Sequence, residues 1–196
     1  MTKLNTTMSR TVRALSWALC ISLAACAPKL TDVYHDANMD FGSIRSVAVM
    51  PFVNQTREPL AADRVRDVFM TMLLSSGSVY VIPAGEVSRG VTRTGIGDPT
   101  APSPEEVIKF GAVVKADVVI TGTVREYGEV RSGTVASQAI SLSMRMIETQ
   151  TGKVVWSASS TKGGVSFADR LLGGGGAPMN EVTEKAVNAI LDKLFK

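Results

Sequence analysis

Apolar positions along this 196-residue chain change their spacing several times, and each change predicts an element. The first apolar run, Ala14 to Leu23, follows Lys3, Arg10 and Arg13 and is too short to cross a bilayer as a helix. That is the layout of a secretory leader rather than a membrane anchor. From Ala27 to Ser43 the pattern loses its period among Pro28, Asp32, Asp36, Asn38, Asp40 and Gly42, which predicts a tether. Val47 to Phe52, VAVMPF, is continuously apolar and rich in β-branched residues, as expected of a strand covered on both faces.

Helical and strand periods then alternate. Pro59 suits a first helical position, and Val65, Val68, Phe69 and Met72 recur at the spacing of one buried helix face, which Gly77 ends. Val79 to Ile82 predicts a second short strand, followed by a helical turn around Glu86 to Gly90 and a loop from Thr92 to Pro102. Ser103 and Glu106 have the spacing of a capping box, in which each side chain satisfies the other residue's free amide, and a helix is expected from there to Lys115. Asp117 to Val124 is β-branched almost throughout and predicts a central strand.

In the second half the period becomes two. Ile140, Leu142, Met144 and Met146 alternate with Ser141, Ser143 and Arg145, which predicts a strand with one buried and one wet face. Thr149 to Lys153 turns the chain, with Gly152 free to take a positive φ, and Val154 to Ser159 returns as the hairpin partner. Val182, Ala186, Ile190 and Leu194 line one side of a last helix, with Asn180 as the expected cap. The fold class that follows is α/β, in two or three layers. Its mixed sheet has parallel βαβ units in the first half, then an antiparallel hairpin and a C-terminal helix. The predicted organisation is a signal peptide over 1–25, a tether over 26–43 and one domain over 44–196.

Charge changes the picture once the leader is removed. The leader carries three of the 21 basic residues and none of the 18 acidic ones, so the mature chain is balanced. With no long run of like charge, nothing supports nucleic-acid binding. The segment LAAC, Leu23 to Cys26, closes the apolar run with a Leu-small-small triplet before a cysteine. It resembles the lipobox of bacterial lipoproteins, and that resemblance implies cleavage before Cys26 and acylation of its thiol and new amine. More than one acyl chain makes such an anchor effectively permanent. Ala27 rather than an aspartate follows the cysteine, which in the same sorting pattern implies the outer membrane. With Cys26 acylated and Cys20 lost in the leader, the domain folds without a disulfide.

Taken in order, the leader, VAVMPFVNQT, the helix after it, VYVIP, KADVVITGTV and SLSMRMIETQTGKVVWSAS resemble the CsgG family of bacterial periplasm-facing lipoproteins. The globular domain of that family is similar to the TolB N-terminal domain and to LpoB, a lipoprotein activator of penicillin-binding proteins. The resemblance covers roughly residues 44 to 195. It implies a TolB N-terminal-like fold and a non-enzymatic outer-membrane lipoprotein that docks other envelope proteins as an assembly or secretion accessory factor. It also leaves room for a homo-oligomer. Two alternatives stand beside this: a pore-forming CsgG-type channel subunit and an LpoB-like activator of a penicillin-binding protein. The channel needs additional membrane-crossing hairpins, each strand about 9 to 11 residues long. Tyr127 to Val135, read as a short polar connection, offers little room for them.

Candidate chemistry is sparse. His35, the one histidine, falls in the tether without partners, and Glu126 and Glu129 read as a solvated turn rather than an acid/base pair. The glycines of Leu171 to Pro178 lack the G-K-[ST] ending of a phosphate loop. No catalytic residue, metal, small-molecule substrate or cofactor is expected beyond the lipid on Cys26. Arg125, Tyr127 and Arg131 combine planar cations with an aromatic, types enriched at protein interfaces, although pairing with Glu126 and Glu129 at a sheet edge reads equally well. Asn54 and Arg57 sit in the polar loop after the first strand, where α/β sheets commonly place binding sites.

Overall fold

The structure, a computed structural model, describes residues 32–132, 135–164 and 176–195. The proposed leader, Cys26 and residues 171–175 of the glycine loop lie outside them. A seven-stranded sheet runs through the domain in the order β1-β7-β6-β5-β2-β4, with β3 also paired to β5. Its strands are β1 (Val33–His35), β2 (Ser46–Val49), β3 (Val53–Asn54), β4 (Tyr80–Val81), β5 (Val118–Ser132), β6 (Val135–Glu148) and β7 (Val154–Gly163). The helices are α1 (Ala61–Ser76), α2 (Ala84–Thr94), α3 (Pro104–Val114) and α4 (Met179–Leu194). β2 is parallel to β4 and β5, whereas β5, β6 and β7 form an antiparallel meander.

Alternation of side chains explains the three layers. Val47 and Val49 of β2 point into one core with Val65, Phe69 and Leu73 of α1 and Ala186 and Ile190 of α4. Ala48 and Met50 point the other way, into a second core with Val87 of α2 and Val107 and Phe110 of α3. The sheet is thus covered on both faces where its strands are continuously apolar. β6 is the contrasting case: Ile140, Leu142, Met144 and Met146 are buried, Arg145 is exposed, and Ser141 and Ser143 are half-buried. Gly152 has a φ of +69°, which the β6–β7 turn requires. Ser103 and Glu106 form the expected capping box.

Several expectations change. The tether assigned to 26–43 contains ordered structure: β1 pairs antiparallel with β7, and a 3₁₀ turn spans Phe41–Ser43. Three residues are too few to show a period among the surrounding aspartates. VAVMPF is not one strand; it breaks after Val49, and β3 resumes at Val53 further along β5. Arg66 of α1 closes the break, its half-buried guanidinium donating to the Val49 and Met50 carbonyls at 2.7 and 3.0 Å. Burial pushes its pKa below the usual arginine value. α1 starts at Ala61 rather than Pro59, and α4 starts at Met179 with Pro178, not Asn180, at the cap position. α2 is a full helix reaching Thr94.

Asp117 joins β5 to β2 at the opposite end. Its Oδ2 accepts the Arg45 and Ser46 amides at 2.8 and 2.9 Å. Burial raises the carboxyl pKa, but these amides, the Ser46 hydroxyl and the Arg45 charge outweigh it, so the group lies below the ordinary aspartate value of 3.8. A carboxyl depressed on folding contributes stability above its unfolded pKa and loses it as pH falls through the folded one. Asp117→Asn is expected to lower the melting temperature at neutral pH, with the gap to the parent protein closing as pH drops below about 4. Thermal unfolding across that range checks it, and a gap constant with pH would refute it.

Candidate functional site

In the sequence Arg125 and Tyr127 stand far from Arg57; the fold brings these three together around one cleft, with Asn54 at the base of its loop and Arg131 outside the lining. A polar cleft of about 510 Å³ is lined by Gln55 to Glu58 on one side and by Arg125 to Val130 of β5 on the other, with Ala139 of β6. It opens where β3 leaves β5. The two strands pair at Val53 with Thr123 and Asn54 with Val124, and the Gln55 amide makes a last bond to the Val124 carbonyl at 2.9 Å.

Asn54 causes the departure. Its Oδ1 accepts the Thr56 amide and hydroxyl at 3.0 and 2.8 Å, and its Nδ2 donates to the Glu58 and Pro59 carbonyls at 2.8 and 3.1 Å. This side chain mimics a turn of backbone and folds the loop away from the sheet. Asn54 therefore builds the wall of the cleft, while Arg57 stands exposed within it.

The segment REYGEVR is strand, not the polar connection that its composition suggests. β5 continues to Ser132 and pairs with β6 throughout, interrupted by a bulge at Arg125 between Val124 and Glu126. A strand near a sheet edge that alternates polar with half-buried residues needs no continuous apolar face, so its polarity conceals its geometry. Arg125 keeps the wet face that Thr121 and Thr123 share, where its Nη2 donates to Ser143 Oγ at 3.1 Å, and the bulge brings Glu126 onto the same face opposite Ser141. Tyr127 points to the other side and packs its half-buried ring against the main core. Arg131 lies beyond the cleft and pairs with Glu129 at 2.6 Å, as Arg64 does with Glu58 at 3.7 Å. Among the described residues Arg57 and Arg125 take part in no ion pair, and they face one uncompensated carboxylate, Glu126.

The charged groups Arg57, Arg125, Glu126 and Glu129 of the cleft are exposed and Glu58 is half-buried. Among the described residues no group of three His, Cys, Asp or Glu is placed to hold a metal. His35 is exposed and stands edge-on to Phe41 with ring centroids 5.5 Å apart. No helix of the described residues is long and apolar enough to cross a membrane.

A family model described as the peptidoglycan-synthase activator LpoB matches residues 31–161. The chain belongs to the LpoB family. That match takes in both walls of the cleft and supports LpoB, rather than the CsgG channel, among the proteins this LpoB-family sequence resembles. Solved structures share its fold. The PelC dodecamer from Paraburkholderia phytofirmans is 18% identical, with 82% of this chain and 95% of that chain covered at a TM-score of 0.55. A lipoprotein from Neisseria meningitidis is 21% identical, with 77% and 98% covered at a TM-score of 0.55. A search of the curated proteins gives no significant match.

Proposed function

We propose that this LpoB-family protein is a non-catalytic activator of a peptidoglycan synthase of the penicillin-binding type. It acts in the periplasm, held to the outer membrane by lipid on Cys26. The family match over residues 31–161 carries the reading. The cleft of Arg57, Arg125 and Tyr127 supports it, because an activator works through a protein contact and this is a polar, exposed surface bearing Arg and Tyr, two residue types common among binding hot spots. The general accessory-factor reading thereby narrows to activation.

The mature domain, mixed with purified synthases from the same cells, is expected to accelerate glycan-strand polymerisation by one of them. Arg57→Ala with Arg125→Ala is expected to reduce that stimulation about tenfold or more while leaving the melting temperature unchanged, since both side chains are exposed. Tyr127→Ala is a poorer probe, because its ring also packs on the core. No stimulation of any synthase by the parent domain would overturn the reading. The anchor has a separate check: Cys26→Ser is expected to abolish lipid labelling and free the protein from the outer-membrane fraction.

A further inference from the structure

Among the described residues the β5–β6 arm is paired on its β7 side only. β6 bonds β5 as far as Ser132 opposite Val135, but β3 stops at Asn54, so among the described residues no strand pairs with the other edge of β5 from Glu126 to Ser132. Backbone direction along that edge follows from the ladder. The Val124 carbonyl points outward, towards Gln55. The bulge shifts the alternation by one residue, which turns the amide and carbonyl groups of Tyr127, Glu129 and Arg131 outward in their turn. They continue the line that β3 occupies, and the cleft is the space where a strand in that line would lie.

Resting on the reading of this cleft as the partner-binding face, we infer that the free edge of β5 receives an extended, acidic peptide segment of the partner protein as an added strand. Main-chain bonds to Tyr127, Glu129 and Arg131 supply affinity, as in other cases of strand addition. Charge selects the occupant. Arg64 and Arg131 already neutralise Glu58 and Glu129, which leaves Arg57 and Arg125 against the single carboxylate of Glu126, an excess of one positive charge for an incoming carboxylate to meet. The same charges and the bulge explain why such an edge does not pair indiscriminately, since charged side chains and bulges are how proteins protect open edges. A segment covering Glu126 to Ser132 would extend roughly 20 Å at about 3.3 Å per residue.

The test uses the mature domain and a displayed library of random short peptides, independently of any synthase. Enriched peptides are expected to carry acidic residues and to slow amide hydrogen exchange at Tyr127, Glu129 and Arg131. Glu129→Pro removes one outward amide without touching the ladder to β6, a change that sheet edges tolerate. It is expected to weaken peptide binding at least about tenfold, whereas Glu129→Ala, which keeps the amide, is expected to bind like the parent. The melting temperature of each variant confirms that it is folded. Equal binding by Glu129→Pro and the parent would overturn the inference. So would slow exchange at these amides in the free monomer, because the chain itself would then fill the edge. Self-association of the parent that Glu129→Pro abolishes would overturn it in favour of a second copy. If peptides bind as expected and no synthase is stimulated, the edge stands and the activator reading fails; stimulation that survives Glu129→Pro has the opposite meaning.

Discussion

Phe69→Ala is expected to destabilise the domain by about 3 to 5 kcal/mol, the range measured for removing a buried aromatic ring. Phe69 is fully enclosed at 0% exposure on the inner face of α1, between Val65 and Leu73, and it meets the Phe52 ring at a centroid separation of 6.2 Å. Phe52 belongs to the break between β2 and β3, so the ring supports both the helix and the segment that leads into the cleft loop. A loss of that size is a large part of the roughly 5 to 15 kcal/mol that holds an ordinary domain together. Phe69→Leu keeps most of the volume and is expected to cost distinctly less. Denaturant unfolding followed through the buried Trp156 measures both changes; a midpoint shift with unchanged slope is the expected signature. An unshifted midpoint for Phe69→Ala would show that α1 buries another face.

That α1 could be placed from its period, and the cleft could not, has a physical reason. Burial imposes a period on a sequence, and contact between distant loops does not. VAVMPF reads as a strand covered on both faces because Val47 and Val49 enter one core while Ala48 and Met50 enter the other. β6 alternates because one of its faces meets helices and the other meets water. α2 escaped this reading because its buried side consists of Val87, Gly90 and Thr94, and a glycine inside a helical stretch resembles a stop. Gly90 is instead a close contact: a Cβ there would stand 2.4 Å from Val114 Cγ1. Of the cleft, the residue types of both walls were legible as binding candidates, and their meeting was not. It depends on the bulge at Arg125 and on the turn made by Asn54, each a choice of one or two residues. Arg66, which holds the β2–β3 break, left no sequence signal because a cation on an amphipathic helix is ordinary.

Gly111→Ala sets two of these influences against each other within one residue. Gly111 is in the interior of α3, where alanine is intrinsically better than glycine by roughly 0.5 to 1 kcal/mol, so local propensity predicts a more stable protein. Packing predicts the opposite. A Cβ at this position would lie 2.3 Å from the Thr149 Cβ, closer than two carbon atoms can approach. Thr149 has little freedom to retreat. It is buried at the turn after β6, its amide donates to the Asp117 carbonyl at 3.0 Å, and its hydroxyl donates to the Ala116 carbonyl at 2.6 Å. Moving it disturbs the start of β5 and the β6–β7 turn together. Overpacking of this kind costs about 1 to 3 kcal/mol or more, which outweighs the helical gain. The expected result is net destabilisation, with a lower denaturation midpoint. Thr149→Gly removes the side chain that the new methyl would strike, so the double variant is expected to lose less than the sum of the two single changes. Strict additivity, or a Gly111→Ala protein more stable than its parent, would mean that α3 stands further from the turn than the structure places it.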